Sequence, residues 1–107
     1  MAIVARSPLG PATPLHAAAL AGDSVALERL LEARTLDWAL NVRDAGGQAP
    51  LHWAVLGGYV DCVAALLRFG ADPNLVDGNG VSPVWTAEDD FGMHTVAALL
   101  RSAGGTK

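Results

Sequence analysis

Cysteine is nearly absent from this 107-residue chain. Cys62 stands alone, so no disulfide can form within it. A single thiol fits a reducing, intracellular compartment better than an oxidising one. Charge is sparse as well. Charged residues make up 17%, against an ordinary share of about 25%, and a surface that poor in charge favours association. The seven Lys and Arg are scattered without a run and the formal net charge is −4, so the basic footprint required for nucleic-acid binding is missing. No apolar run approaches the roughly 20 residues that span a bilayer. The opening stretch MAIVARSPLGPATP holds a short apolar piece, but Arg6 and three prolines follow at once. A secretory signal needs an apolar region of about 7–15 residues, so no targeting segment is expected. These absences point to a cytoplasmic protein with neither membrane nor nucleic acid among its partners.

What is present is apolar and repetitive. The hydrophobic fraction is 51%, with Ala and Leu prominent, which suits one small helical domain with a single modest core. TPLHAAALAG, from Thr13 to Gly22, is nearly repeated as APLHWAVLGG, from Ala49 to Gly58. Aligned on Pro14 and Pro50 the copies lie 36 residues apart, and a third copy, SPVWTAEDDFG from Ser82, follows the second by 33. Behind each copy comes a second helical pattern: DSVALERLLEA, YVDCVAALLRFG and MHTVAALLRSAG. These end in Leu30-Leu31-Glu32, Leu66-Leu67-Arg68 and Leu99-Leu100-Arg101. Catalytic residues are rarely duplicated inside one small domain, whereas structural units are.

The unit reads as turn, short helix, glycine break, longer helix, loop. Pro14, Pro50 and Pro83 sit where a helix begins, and proline is tolerated there because its missing N–H would be unpaired anyway. Thr13 and Ser82 precede two of them as candidate caps. Gly22, Gly58 and Gly70 stand where helices should stop. Val60, Val63, Leu66 and Leu67 are expected to form one apolar face, with Val96, Leu99 and Leu100 as its counterpart.

These residues resemble the ankyrin repeat family, whose period is 33 and whose signature is Thr-Pro-Leu-His-x-Ala. Residues 13–18 match that signature in full, and residues 49–54 with one change. The stretch GADPN, from Gly70 to Asn74, resembles the loop that closes a repeat. The resemblance covers roughly residues 11–104. It implies an all-α solenoid of about three helix-turn-helix repeats with short hairpin-like loops, in one domain with repeats at approximately 11–43, 44–76 and 77–104. It also implies that His16 and His52 are structural, hydrogen-bonding in the turn and to the neighbouring repeat. Departures are visible. Ala49 replaces the Thr, at a cost of about 1 kcal/mol for a lost cap, and Trp85 stands in place of the His. Three extra residues within ARTLDWALN lengthen one loop and carry Trp38. Glu88, Asp89 and Asp90 replace Ala and Gly at the end of the third short helix, which suits an end unit with one face in water.

Candidate chemistry is thin. His16, His52 and His94 lack metal-ligand spacing, and Cys62 reads as a buried, inert thiol between repeats. The glycines of DAGGQ and DGNGV lack the Lys-Ser/Thr of a phosphate loop and read as hairpin turns. Glu88, Asp89 and Asp90 lack the spacing of a calcium loop. They read either as a solvated face or as an acidic patch meeting a basic partner. No nucleophile with an adjacent base can be assembled. We therefore expect no enzyme, no catalytic residue, no metal and no cofactor.

The resemblance implies a protein-interaction module whose concave face consists of hairpin tips and first helices. In the second repeat the expected contacts are Arg43, Ala45, Gly46, Gln48, Trp53 and Leu56; in the third, Val76, Gly78, Asn79, Val81, Asp89 and Asp90. Trp53 is either a partly exposed anchor or packed between helices, and the sequence leaves both open. An apolar centre with an acidic edge calls for a protein partner with an apolar anchor and nearby Lys or Arg. Two alternatives remain. One is self-assembly, end to end, through an uncapped N-terminal face of Leu15, Ala18, Ala19, Leu27 and Leu30, unless residues 1–11 cover it. The other is a small inhibitor or immunity-type regulator masking another protein.

Overall fold

The computed structural model describes residues 13–34, 40–90 and 93–106, with Asp89 and Asp90 described by their backbone alone. Among the described residues the regular structure is entirely helical. It runs α1 (Pro14–Ala21), α2 (Ser24–Ala33), α3 (Pro50–Gly57), α4 (Val60–Arg68), α5 (Pro83–Trp85) continuing into a π-helical turn (Thr86–Asp90), and α6 (His94–Ser102).

Each first helix starts as its residues dictate. Proline occupies the first turn of α1, α3 and α5. The Thr13 hydroxyl accepts from the His16 N–H at 3.4 Å, and Ser82 accepts from Trp85 at 3.1 Å. Ala49 has no hydroxyl to offer, and there the His52 ring takes over by accepting the Ala49 N–H at 2.8 Å. Helices α1 and α3 end on Gly22 and Gly58, both left-handed at φ 72° and 69°, a conformation that only glycine adopts cheaply. The chain then reverses at once into the second helix, with Asp23 N–H bonding to Ala18 O and Tyr59 N–H to Ala54 O, both at 3.0 Å.

The helix pairs stack side by side. Helix α1 packs on α2 and α3, α4 lies between α2 and α6, and α3 faces α5 and the π turn. One continuous core runs through the layers, with Leu15, Leu27, Leu51, Val63, Leu66, Val84 and Leu100 fully buried. Each such side chain contributes about 1.5–3 kcal/mol by leaving water. Small residues line the contacts: Ala19, Ala54, Ala65 and Ala87 are buried and let the backbones approach closely.

Two expectations fail here. Val60 is exposed and Leu67 half-buried, while Cys62, Val63, Ala65 and Leu66 are buried. Helix α4 is covered from two sides, so its buried face is wider and rotated from the stripe read in the sequence. The supposed free N-terminal face is not free either. Leu15, Ala18, Ala19 and Leu27 are core residues and Leu30 is half-buried, because α1 and α2 turn these side chains toward each other and toward α3. The suggested covering segment, residues 1–11, lies outside the described residues, as does Trp38.

The third repeat departs from the other two. A π-helical turn holds one residue more than the α-helical path it replaces. Up to Ala87 the third repeat follows the second at a spacing of 33; beyond the turn the spacing is 34. The Met93 N–H bonds to Ala87 O as that of Tyr59 bonds to Ala54 O, and Gly105 N–H bonds to Leu100 O as that of Ala71 bonds to Leu66 O. Leu100, not Leu99, is thus the counterpart of Leu66, and both are fully buried. The matching Leu-Leu-Arg triplets seen in the sequence are out of register by one. On the same turn Glu88 accepts two hydrogen bonds from Arg101, at 2.7 and 2.8 Å, tying the π segment to α6.

Candidate interaction surface

Two turns of the same design stand above the helices. In the first, residues 44–48, Asp44 Oδ1 accepts from the N–H groups of Gly46 and Gln48, at 2.9 and 3.0 Å. The Asp44 N–H bonds to Gln48 O, and Gly47 N–H to Asp44 O. In the second, residues 77–81, Asp77 makes the same set with Asn79, Val81 and Gly80. Gly47 and Gly80 carry the positive φ, 84° and 80°, that both turns require. A short carboxylate folds each tip on itself, so the tips are pre-ordered rather than floppy.

The tips are also stacked. A Cβ on Gly47 would lie 2.5 Å from Gly78 Cα, so the two turns touch backbone to backbone. Arg43 Nε donates to Val76 O across the same joint at 2.8 Å. Beneath them the histidines span the layers. The His16 Nε2–H faces Val42 O at 2.8 Å and Gln48 O at 3.1 Å, while its Nδ1 pairs with the Thr13 hydroxyl. The His52 Nδ1 accepts from Ala49, so its Nε2 carries the proton and donates to Leu75 O at 2.6 Å. Both rings therefore do what the resemblance implied. Burial is the main influence on His52 and pushes its pKa below the usual histidine value, with Arg43 acting in the same direction. The Leu75 carbonyl, Asp77 and Asp44 pull partly the other way.

The eight residues expected to meet a partner fall in different places. Gln48 and Leu56 line one shallow groove between α3 and the third repeat, together with Asp77, Pro83 and Thr86. Asn79 is exposed at the second tip. Val81 lies farther along, in a separate cleft of about 400 Å³ that it shares with Trp85. Arg43 is exposed but its guanidinium is spent on the neighbouring tip. Of the two readings left open for Trp53, the structure shows the packing. The ring is half-buried against the core, and its indole N–H donates to Asp44 Oδ2 at 2.8 Å, so it braces the first tip. Asp89 and Asp90 end the π turn, and their side chains lie outside the described residues. Leu20, 44% exposed, sits 36 residues before Leu56 at the same place on its helix and extends the apolar surface into the first repeat. The repeat spacing alone would have found it. Asp44 and Asp77 were overlooked as organisers, although both precede a glycine by three positions.

Cys62 is fully buried, and burial, followed by the charges of Asp61, Asp23 and Glu28, raises its pKa, which keeps the thiol protonated. Among the described residues no cluster of His, Cys, Asp and Glu has the arrangement of a metal site, and no helix is long and apolar enough to cross a membrane.

The stacked helix pairs, self-folded Asp-x-x-Gly tips and layer-spanning histidines are matched by a family model described as ankyrin repeats (three copies), over residues 5–77. The chain belongs to the ankyrin repeat family. The ankyrin match ends at the second tip, before the π turn, whereas the fold similarity extends through the third repeat. The ankyrin repeat domain from Acinetobacter baumannii AYE superposes with a TM-score of 0.81 at 29% identity, over 95% of this chain and 55% of that one. The human ASB11 ankyrin repeat domain superposes at 0.74 and 33% identity, over 88% and 41%. In sequence, the chain is 37% identical to the potassium channel AKT2/3 of Arabidopsis thaliana over 71% of its length. It is 38% identical over 73% to the ADP-ribosylation factor GTPase-activating protein AGD2 of the same plant. It spans only about a tenth of those two proteins, 9% and 10%, and about half of the solved domains. What is shared is the ankyrin scaffold, in general a non-catalytic module for binding other proteins.

Proposed function

We propose that this chain is a non-catalytic interaction module, with repeats at approximately 11–43, 44–76 and 77–104, that binds a protein partner across its tips and first helices. The observation that carries the reading is the pre-ordered double tip beside the exposed side chain of Leu56. The Asp44 and Asp77 turns are locked to each other by the Gly47–Gly78 approach and the Arg43–Val76 bond. Below them Leu56 and Gln48 border the groove. A rigid surface loses little entropy when it binds, so a modest apolar anchor suffices. The contacts with the partner are Gln48, Leu56 and Asn79, flanked by Arg43, Trp53 and Val81. Asp89 and Asp90 supply an acidic edge for Lys or Arg of the partner. An inhibitor that masks another protein would use the same surface.

The test is affinity capture from a native extract on the immobilised chain, beside a Leu56→Arg, Gln48→Glu control shown by circular dichroism to be folded. A protein held by the native chain and lost by the control supports the reading, and its identity supplies the pathway. Identical captures on both baits, or none, would refute it. Trp53→Ala is a poor control because it also unbraces the Asp44 turn. Charge reversal at Asp89 and Asp90 should slow association and flatten its salt dependence.

A further inference from the structure

His16 and His52 hold equivalent places in consecutive layers, but different groups face their Nδ1 atoms. Beside His16 it is the Thr13 hydroxyl, at 2.8 Å. Beside His52 it is the Ala49 N–H, also at 2.8 Å. One residue makes the difference, since Ala49 stands where the first copy has Thr13. It matters when the ring gains a proton. A neutral imidazole has one donor nitrogen and one acceptor, whereas both nitrogens of the charged ring donate. A hydroxyl can donate or accept, so Thr13 turns to suit either state of His16. A backbone N–H only donates, so a proton on His52 Nδ1 would point at the hydrogen of Ala49. Both residues are buried, Ala49 fully, and neither donor can reach water unless the chain parts there.

The other side of the His52 ring is the tie between layers, with Nε2–H donating to Leu75 O at 2.6 Å. Leu75 leads into the Asp77 turn. A ring that swings out to be protonated releases that carbonyl together with the Ala49 N–H. The Arg43 bond to Val76 O is the next tie along the seam and keeps the opening local. The charged groups facing the ring are Arg43 and Asp44 at the first turn and Asp77 at the second. Burial outweighs them and holds the pKa of His52 below the usual histidine value; the Leu75 carbonyl, Asp77 and Asp44 favour the proton and Arg43 opposes it.

We propose that the seam between α3 and the second turn is an acid-released latch, created by Ala49, that opens when His52 is protonated while the His16 seam stays closed. The inference does not rest on the partner-binding reading. Its direction follows from linkage. The opened ring titrates near 6.5 and the closed ring lower, so the open state binds more protons below pH 6.5 and gains population until the closed ring titrates too.

The test is NMR on the full chain, read in two ways. First, hydrogen exchange at the Ala49 amide, corrected for intrinsic chemistry, should lose up to about tenfold of its protection between about pH 7.5 and 5.5. The Asp44 and Gln48 amides of the first turn should hold theirs. Second, the His52 imidazole is titrated in the native chain and in Ala49→Thr. The restored hydroxyl can accept from Nδ1, so the midpoint should rise by about one pH unit, the worth of one hydrogen bond. Ala49→Ser serves if the threonine variant does not fold, since Ser82 fills the equivalent place in the third repeat at a similar φ, −79° against −90°. A midpoint unmoved by the hydroxyl would overturn the proposal, because burial alone would then account for the titration. Constant protection at Ala49, or equal losses at Asp44 and Gln48, would overturn it as well.

Discussion

His52 and Trp85 occupy the same place in consecutive repeats, 33 residues apart, and live in opposite surroundings. His52 is buried, both ring nitrogens are engaged, and the layer above it is closed by Leu75. Trp85 is 42% exposed over an open cleft. The helix that carries His52 runs regularly for eight residues; the one that carries Trp85 is α-helical for three and then widens into a π turn. In a stacked protein a layer is completed only by its neighbour, so among the described residues the same position is enclosed at His52, where a layer lies over it, and exposed at Trp85. Substitutions at the enclosed position should therefore cost more stability than those at the exposed one.

The strongest way to break the contrast is at the joint between layers. Gly47→Ala places a methyl 2.5 Å from Gly78 Cα on a residue at φ 84°, and should cost about 3 kcal/mol in urea unfolding. Gly80→Ala has the same kind of φ, 80°, but open space around it, and should cost about 1 kcal/mol from the backbone alone. Next come the paired positions. His52→Ala leaves the buried Ala49 N–H and Leu75 O without their partner and should cost about 2 kcal/mol. Trp85→Ala should cost less, about 1 kcal/mol, since Trp85 is 42% exposed. Equal losses would show that the end layer is as closed as the middle one.

A smaller effect separates the two by pH. Burial disfavours the charged form of His52, so its folded pKa lies below the unfolded value of 6.5. Below pH 6.5 the unfolded chain therefore holds more protons at this site, and stability falls as pH drops through that value and levels off below the folded pKa. Protonation would also turn Nδ1 into a donor facing the Ala49 N–H. Melting temperatures at about pH 7.5 and 5.5 should show the drop, and His52→Gln should reduce it; an unchanged drop would assign it to other groups. Smallest of all is the ion pair of the third repeat. Glu88→Gln should cost about 0.5 kcal/mol, with the difference shrinking in high salt, because both partners are partly solvated.

How much of this was legible in the sequence follows from the range of each interaction. Helix starts, glycine stops and the roles of His16 and His52 were readable, because proline at a first turn and glycine at positive φ act within a few residues. Asp44 and Asp77 were readable in principle from the repeated Asp-x-x-Gly. Local rules failed where two layers meet. Cys62 was read as buried and is, but Ala65 is buried and Val60 exposed because α2 and α6 cover α4 from directions that no single-helix stripe encodes. Leu15, Ala19 and Leu27 looked free because the first repeat was weighed without its own partner helices.

The third repeat sets the boundary most sharply. By itself the sequence determined that the fold repeats, where each unit begins and which side chains mark its turns, since these are short-range matters of backbone conformation and spacing. Only the tertiary structure decided that one extra residue is absorbed in a π turn at Thr86–Asp90, which shifts Leu100 into the place of Leu66. It also decided that Trp53 braces a tip instead of standing free, and that Trp85 faces an open cleft. Each depends on which backbone lies across the gap, and that is settled by stacking, where burial of a whole face outweighs the preference of any one residue.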